Sequence, residues 1–168
     1  IFDAVSEPEY SYIVMEYVRG TTLETYSEID SLLPLAKAVE VICNAILREV
    51  MPKLPDRARE ANLDGQTVDL RERGHLMLGQ FVRAVGGERQ LNEALKGSLE
   101  HGVWFTGSLP AIVEELLEVR NPGAHERRVD RETATRLRDK LMGVGCQGTF
   151  AELAKVRVKV GPTVTPSR

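Results

Sequence analysis

Arg120, Asn121 and His125 are the residues of this chain whose types and spacing best suit chemistry. Arginine carries a permanent, planar fork of donors that fits phosphate oxygens. Histidine moves a proton near neutral pH. Asn121 and Pro122 force the backbone out of a helix directly after Arg120, and Gly123 lets the chain turn. Arg120 and His125 can therefore converge on one small volume near a helix end. A base and a cation held there suffice for metal-free cleavage of RNA. The base takes the proton of a ribose 2′-hydroxyl, the oxygen attacks the adjacent phosphorus, and the cation stabilises the charge of the transition state. The same residues also have a purely structural use. Arg120 can bond the last carbonyls of its helix at the negative end of the dipole, Asn121 can form the turn, and His125 can decorate the surface.

Basic residues gather after this motif: Arg127, Arg128, Arg131, Arg136, Arg138 and Lys140. Arg127, Arg128 and Arg131, nearest the motif, are the candidates to track an RNA backbone. Interleaved Glu126, Glu132 and Asp139 leave a solvated helix face as the alternative. The net charge of the whole chain is −3, so any affinity for polyanions must come from that local stretch. His75, His101 and His125 share no ligand spacing with one another or with Cys43 and Cys146. No metal site and no cofactor is expected. The two cysteines are expected as reduced thiols of a cytoplasmic protein, with a single bridge as the alternative, and Cys43 reads as core. No apolar run reaches the roughly 20 residues of a membrane span, so no membrane is expected among the partners.

The elements that must hold the motif follow from the spacing of apolar residues. Ser108 and Pro110 open a helix whose stripe of Leu109, Ile112, Val113, Leu116 and Leu117 is the cleanest in the chain, and Asn121 ends it. Asp130 caps the next helix, with Val129, Thr133, Leu137 and Leu141 on one face. Upstream, Pro34 starts a helix with Leu35, Ala38, Val39, Ile42, Ile46 and Val50 apolar. Residues from Asp56 to Arg73 are expected as a short helix plus a loop, with a turn signal over Asn62–Gly65. Helices are expected over His75–Val85 and Glu88–Glu100, and a loop holding Trp104 over Gly102–Gly107. His75 and His101 are expected to be exposed at helix ends, and Trp104 to cap the core. Tyr10–Val18 is rich in aromatic and β-branched residues, and Lys155–Val160 alternates with period two. These two strands can pair. The fold class expected is mainly α: a helical bundle of four or more helices with a small peripheral two-stranded β-ribbon. The organisation expected is a strand-like segment over 1–30, a helical domain over 31–154 and a strand-like or flexible tail over 155–168. The start at Ile1 raises the expectation of an upstream domain missing from this chain.

The chain resembles the HEPN superfamily of helical domains over roughly residues 75–154. Those domains carry an arginine, a polar residue and then a histidine between two core helices, and Arg120, Asn121 and His125 match that pattern. Leu76–Phe81 (LMLGQF) looks like the Leu-Gly-Gln helix opening of many members, and Phe150–Leu153 (FAEL) resembles their closing helix. The resemblance implies a helical bundle that forms a homodimer with the two motifs facing each other. It implies a metal-independent endoribonuclease of a toxin or defence system, with RNA as substrate, or else a non-catalytic module for dimerisation, partner or nucleotide binding. In the catalytic case Arg120 would bind the scissile phosphate, His125 would be the acid and base, and Asn121 would orient them. Tyr12–Leu23 resembles the strand and hinge between the lobes of a protein kinase. No Gly-rich loop, strand lysine or catalytic-loop motif accompanies it, so a kinase reaction has no machinery here.

Overall fold

The computed structural model describes the backbone of residues 2–6, 11–15, 28–120, 131–143 and 147–159, and the side chains of 32–119, 132–143 and 147–159. The chain opens on an antiparallel pair, β1 (Phe2–Ser6) and β2 (Ser11–Met15). Helix α1 (Glu28–Val50) is followed by two short 3-10 turns and a second hairpin, β3 (Glu60–Leu63) and β4 (Gln66–Asp69). Two single-turn helices come next, α2 (Leu70–Arg73) and α3 (Leu78–Phe81), the latter running into a wider π-helical stretch over Val82–Gly87. Helix α4 (Arg89–Ser98), strand β5 (Leu99–Glu100) and helix α5 (Gly102–Arg120) follow. Helix α6 (Arg131–Met142), helix α7 (Thr149–Leu153) and strand β6 (Arg157–Val158) close the described chain. The protein is mainly helical, with small two-stranded antiparallel ribbons. No described helix is long and apolar enough to cross a membrane.

Helices α1, α5 and α6 pack on one another, and α3, the π-helical stretch and α4 also pack on α5. The buried face of α5 is Phe105, Leu109, Val113, Leu116 and Val119, with Ile112 and Leu117 half-buried beside it. That is the expected stripe, extended by one turn at its start. Phe105 meets Phe81 of α3 edge to face, with ring centroids 5.6 Å apart. On α1 the buried line is Leu32, Ala36, Val39, Cys43, Leu47 and Val50. Leu35, Ile42 and Ile46 flank it rather than forming its centre. Leu91, Leu95 and Leu99 all point into the core, as do Leu137 and Leu141.

Helix α5 begins at Gly102, six residues before the expected cap, so Trp104 sits in a helix and Pro110 in a helix interior. Proline has no N–H to give the carbonyl four residues earlier, which in this helix belongs to Thr106. Asn92 of α4 supplies the missing donor: its Nδ2 reaches the Thr106 carbonyl at 3.2 Å and the Val85 carbonyl at 2.8 Å. The pyrrolidine ring faces Gly86, where a Cβ would lie 3.6 Å from Pro110 Cβ. Gly102 is needed for a different reason. A Cβ there would meet the Leu95 carbonyl oxygen at 2.8 Å, so only glycine lets α5 start this close to the end of α4. Likewise α1 begins at Glu28 and carries Pro34 inside it rather than at its first position.

The charged stretch after α1 is a hairpin instead of the expected helix and loop. Asp64 (φ 55°) and Gly65 (φ 84°) are both left-handed, the requirement of the two-residue turn whose twist suits paired strands. Gln80 and Arg83 donate to the two Asp64 carboxylate oxygens at 3.0 and 2.8 Å, fastening the hairpin tip to α3 and the π-helical stretch. The ribbon expected from Tyr10–Val18 and Lys155–Val160 does not form. Ser11–Met15 pairs with its sequence neighbour Phe2–Ser6, as short connections favour. Arg157–Val158 instead takes the edge that Leu99 and Glu100 offer where α4 becomes extended.

The Asn92 bridge yields a quantitative expectation. Asn92→Ala strands two carbonyls and should cost about 1–3 kcal/mol. In a Pro110→Ala background the helix regains its own donor for Thr106, so the cost of Asn92→Ala should fall. Urea unfolding of the four proteins checks this, and strict additivity of the two changes would contradict the bridge.

Candidate functional site

Arg120 is the last residue of α5 and Arg131 the first of α6. Their side chains, together with Asn121, His125, Arg127 and Arg128, lie outside the described residues, as does the Asp130 cap. What the structure gives is the frame on either side. Val119 and Leu116 anchor the last turns of α5 in the core, while Ala134, Leu137 and Leu141 anchor α6. Glu115 joins the two helices: Lys140 donates to its Oε1 at 2.5 Å, and the Arg136 guanidinium lies 3.7 Å from its Oε2. Arg138 pairs with Asp139. The open face around Glu132, Thr135, Arg136 and Asp139 therefore carries both signs of charge.

His75 lies in an extended segment ahead of α3 rather than in a helix. That segment is clamped to α1 by buried Asn44, whose Oδ1 accepts from the Leu76 N–H at 2.7 Å. Its Nδ2 donates to the carbonyls of Leu76 and Glu40, both at 2.8 Å. The clamp brings His75 Nε2 to 3.1 Å from Oε1 of Glu40, which is only 4% exposed. Burial pushes the Glu40 carboxyl up, but hydrogen bonds and charge from Lys37 and His75 outweigh it and hold the group below its ordinary value of 4.5. With Glu40 ionised, the Nε2 hydrogen of His75 points at the carboxylate, and Nδ1 is left for other partners.

His101 occupies the turn between β5 and α5 with φ 58°, a conformation uncommon for a residue with a side chain. Its ring stacks on Trp104 at 5.4 Å, and Nε2 is 2.7 Å from Oε2 of Glu152 on α7. Lys155 also pairs with Glu152, and these hydrogen bonds hold its carboxyl below the usual range. Both histidines are exposed, as expected, and each is also oriented by a carboxylate from a distant segment, the arrangement that fixes a histidine tautomer. Sequence reasoning missed Glu40 and Glu152, because their partners lie 35 and 51 residues away. Among the described residues no group of three His, Cys, Asp or Glu could hold a metal ion. Cys43 is a free thiol buried in the core, and burial pushes its ionisation far upward.

No family model matches the chain, and no curated protein or solved structure matches it either.

The depressed Glu40 carboxyl sets a pH dependence. A carboxyl whose folded value lies below its unfolded one adds stability that is complete above the unfolded value and is lost as pH falls through the folded one. Glu40→Gln should therefore be less stable than the parent at neutral pH, with the gap closing at acid pH as the carboxyl is protonated. Urea midpoints at the two pH values check this; a gap that stays constant would show that the Glu40 charge contributes nothing.

Proposed function

We propose that this protein is a metal-independent endoribonuclease of HEPN type, acting in a toxin or defence setting, with Arg120 and His125 as its catalytic pair. One observation supports the reading. Arg120 is the last described residue of α5, residues 121–130 link it to α6, and the two helices are packed on each other and on α1. The motif thus falls in the link between two helices anchored in the core, the kind of scaffold on which a catalytic pair is built. Arg120 binds the scissile phosphate, His125 moves the proton of the 2′-hydroxyl, and Asn121 orients them. Arg127, Arg128 and Arg131 track the RNA backbone. A single arginine and histidine make a sparse set, and a homodimer with a two-fold axis at the motif supplies two pairs to one cleft.

The engagement of Arg136, Arg138 and Lys140 with acidic side chains favours a second reading, a non-catalytic helical module that dimerises or binds a partner. Glu115 and Asp139 offset part of this positive charge and reduce its pull on a polyanion.

The two readings differ in what single side chains must do. Under the first, purified protein cleaves mixed single-stranded RNA in excess EDTA and leaves cyclic phosphate ends. His125→Ala should lower the rate about 10²-fold or more. Arg120→Lys keeps the charge but loses the bidentate fork, so cleavage should fail there too. Under the second, a well-folded wild-type dimer cleaves nothing, and His125→Ala changes stability by under about 0.5 kcal/mol. Light scattering that gives a monomer at every concentration would eliminate the shared cleft.

A further inference from the structure

A half-open cleft of about 150 Å³ lies between the second half of α1 and the stretch from α2 to Leu76. Its lining includes the buried side chains of Leu47, Met51, Leu70 and Leu76, with Arg48, Arg71 and His75 exposed. Asn44 also lines it, but the Asn44 amide spends both ends on backbone groups of Glu40 and Leu76. The buried floor of the cleft therefore offers a ligand apolar side chains and no free polar group. A space of this volume accepts a body about the size of benzene.

The rim has the opposite character. No carboxylate is among the lining residues, and Arg48 forms no ion pair among the described residues. The Arg71 guanidinium meets one carboxylate oxygen, Oδ2 of Asp69, at a long 3.9 Å. His75 turns Nε2 to Glu40 and keeps Nδ1 free of that contact. Two guanidinium groups above an apolar pocket match an anion with a small hydrophobic body, and the planar fork of arginine fits a carboxylate in particular.

We infer that this cleft binds a small organic carboxylate, with a ring or branched alkyl body of about six carbons inside and its carboxylate on Arg48 and Arg71. The site is separate from Arg120 and His125 and does not depend on their role. The test titrates benzoate into the full chain and follows amide resonances by NMR. Saturable shifts should appear at Met51, Leu70 and Leu76, with a dissociation constant of about 1 mM or below. Benzyl alcohol keeps the ring without the charge, and acetate keeps the charge without the ring; each should bind about tenfold more weakly or worse. The double variant Arg48→Gln, Arg71→Gln changes exposed side chains only, so circular dichroism should match the parent while benzoate affinity drops about tenfold. Absence of saturable shifts up to about 20 mM benzoate overturns the inference. Equal affinity for benzyl alcohol, or a double variant that binds like the parent, overturns it as well.

Discussion

Helix α5 carries a proline in its interior, and the fold depends on how the resulting orphan carbonyl is satisfied. A helix that lost this bond to water would bend or fray in the middle of the core. Here the donor comes from Asn92 of a neighbouring helix, and the ring that removed the N–H lies against Gly86. The same asparagine holds the Val85 carbonyl where the π-helical stretch ends. Three elements are thereby fixed at one amide. Because α1, α3, α4 and α6 all pack on α5, an error in its axis would propagate to every one of them. Arg120, at its far end, inherits its position from this bond.

Polar side chains recur as ties between segments distant in sequence. Asn44 holds the segment ahead of α3 to α1, Asp64 holds a hairpin tip to α3, and Glu115 holds α6 to α5. Asn44 and Asn92 pay the larger part of their worth through satisfaction of buried backbone groups, since an unpaired carbonyl in the core costs more than a formed bond returns. Glu115 sits nearer the surface, and its pairs set orientation more than stability. The two carboxylate–histidine pairs belong to the same pattern: each ties a histidine in an irregular segment to a helix.

Much of the architecture was legible in the sequence because burial writes itself as period. The stripes of α4, α5 and α6 stand in the chain as Leu91 to Leu99, Leu109 to Leu117 and Leu137 to Leu141, and the structure buries those faces. The start of α5 was not legible. Pro110 looks like a first-turn residue until the donor from Asn92 is known, and nothing local announces that donor. The β3–β4 hairpin carried the right turn, Asp64-Gly65, but its strands present only Ala61 and Leu63 as buried positions, too few to show a period of two. The centre of the α1 stripe was displaced by about one position, because Ala36 and Cys43 carry too little apolar weight in the sequence to mark a face that the structure buries, while Leu35, Ile42 and Ile46 flank it. Of the candidate site, Arg120 is the last described residue of α5, and Asn121, His125, Arg127 and Arg128 lie outside the described residues. The cleft lined by Arg48 and Arg71 left no trace in the sequence, since its walls come from segments that share no motif.

The pairing of Leu99 with Val158, secured by the Lys159 N–H on the Ser98 carbonyl, joins the middle of the chain to the last part described. Closing so long a loop costs entropy that only the finished core between the two strands can offset. A pairing at this sequence separation raises the contact order, the property that slows folding among small domains. Leu99, fully buried, ties this seam into the core through its side chain as well as its backbone, so the last described strand is held by packing and not by the ladder alone.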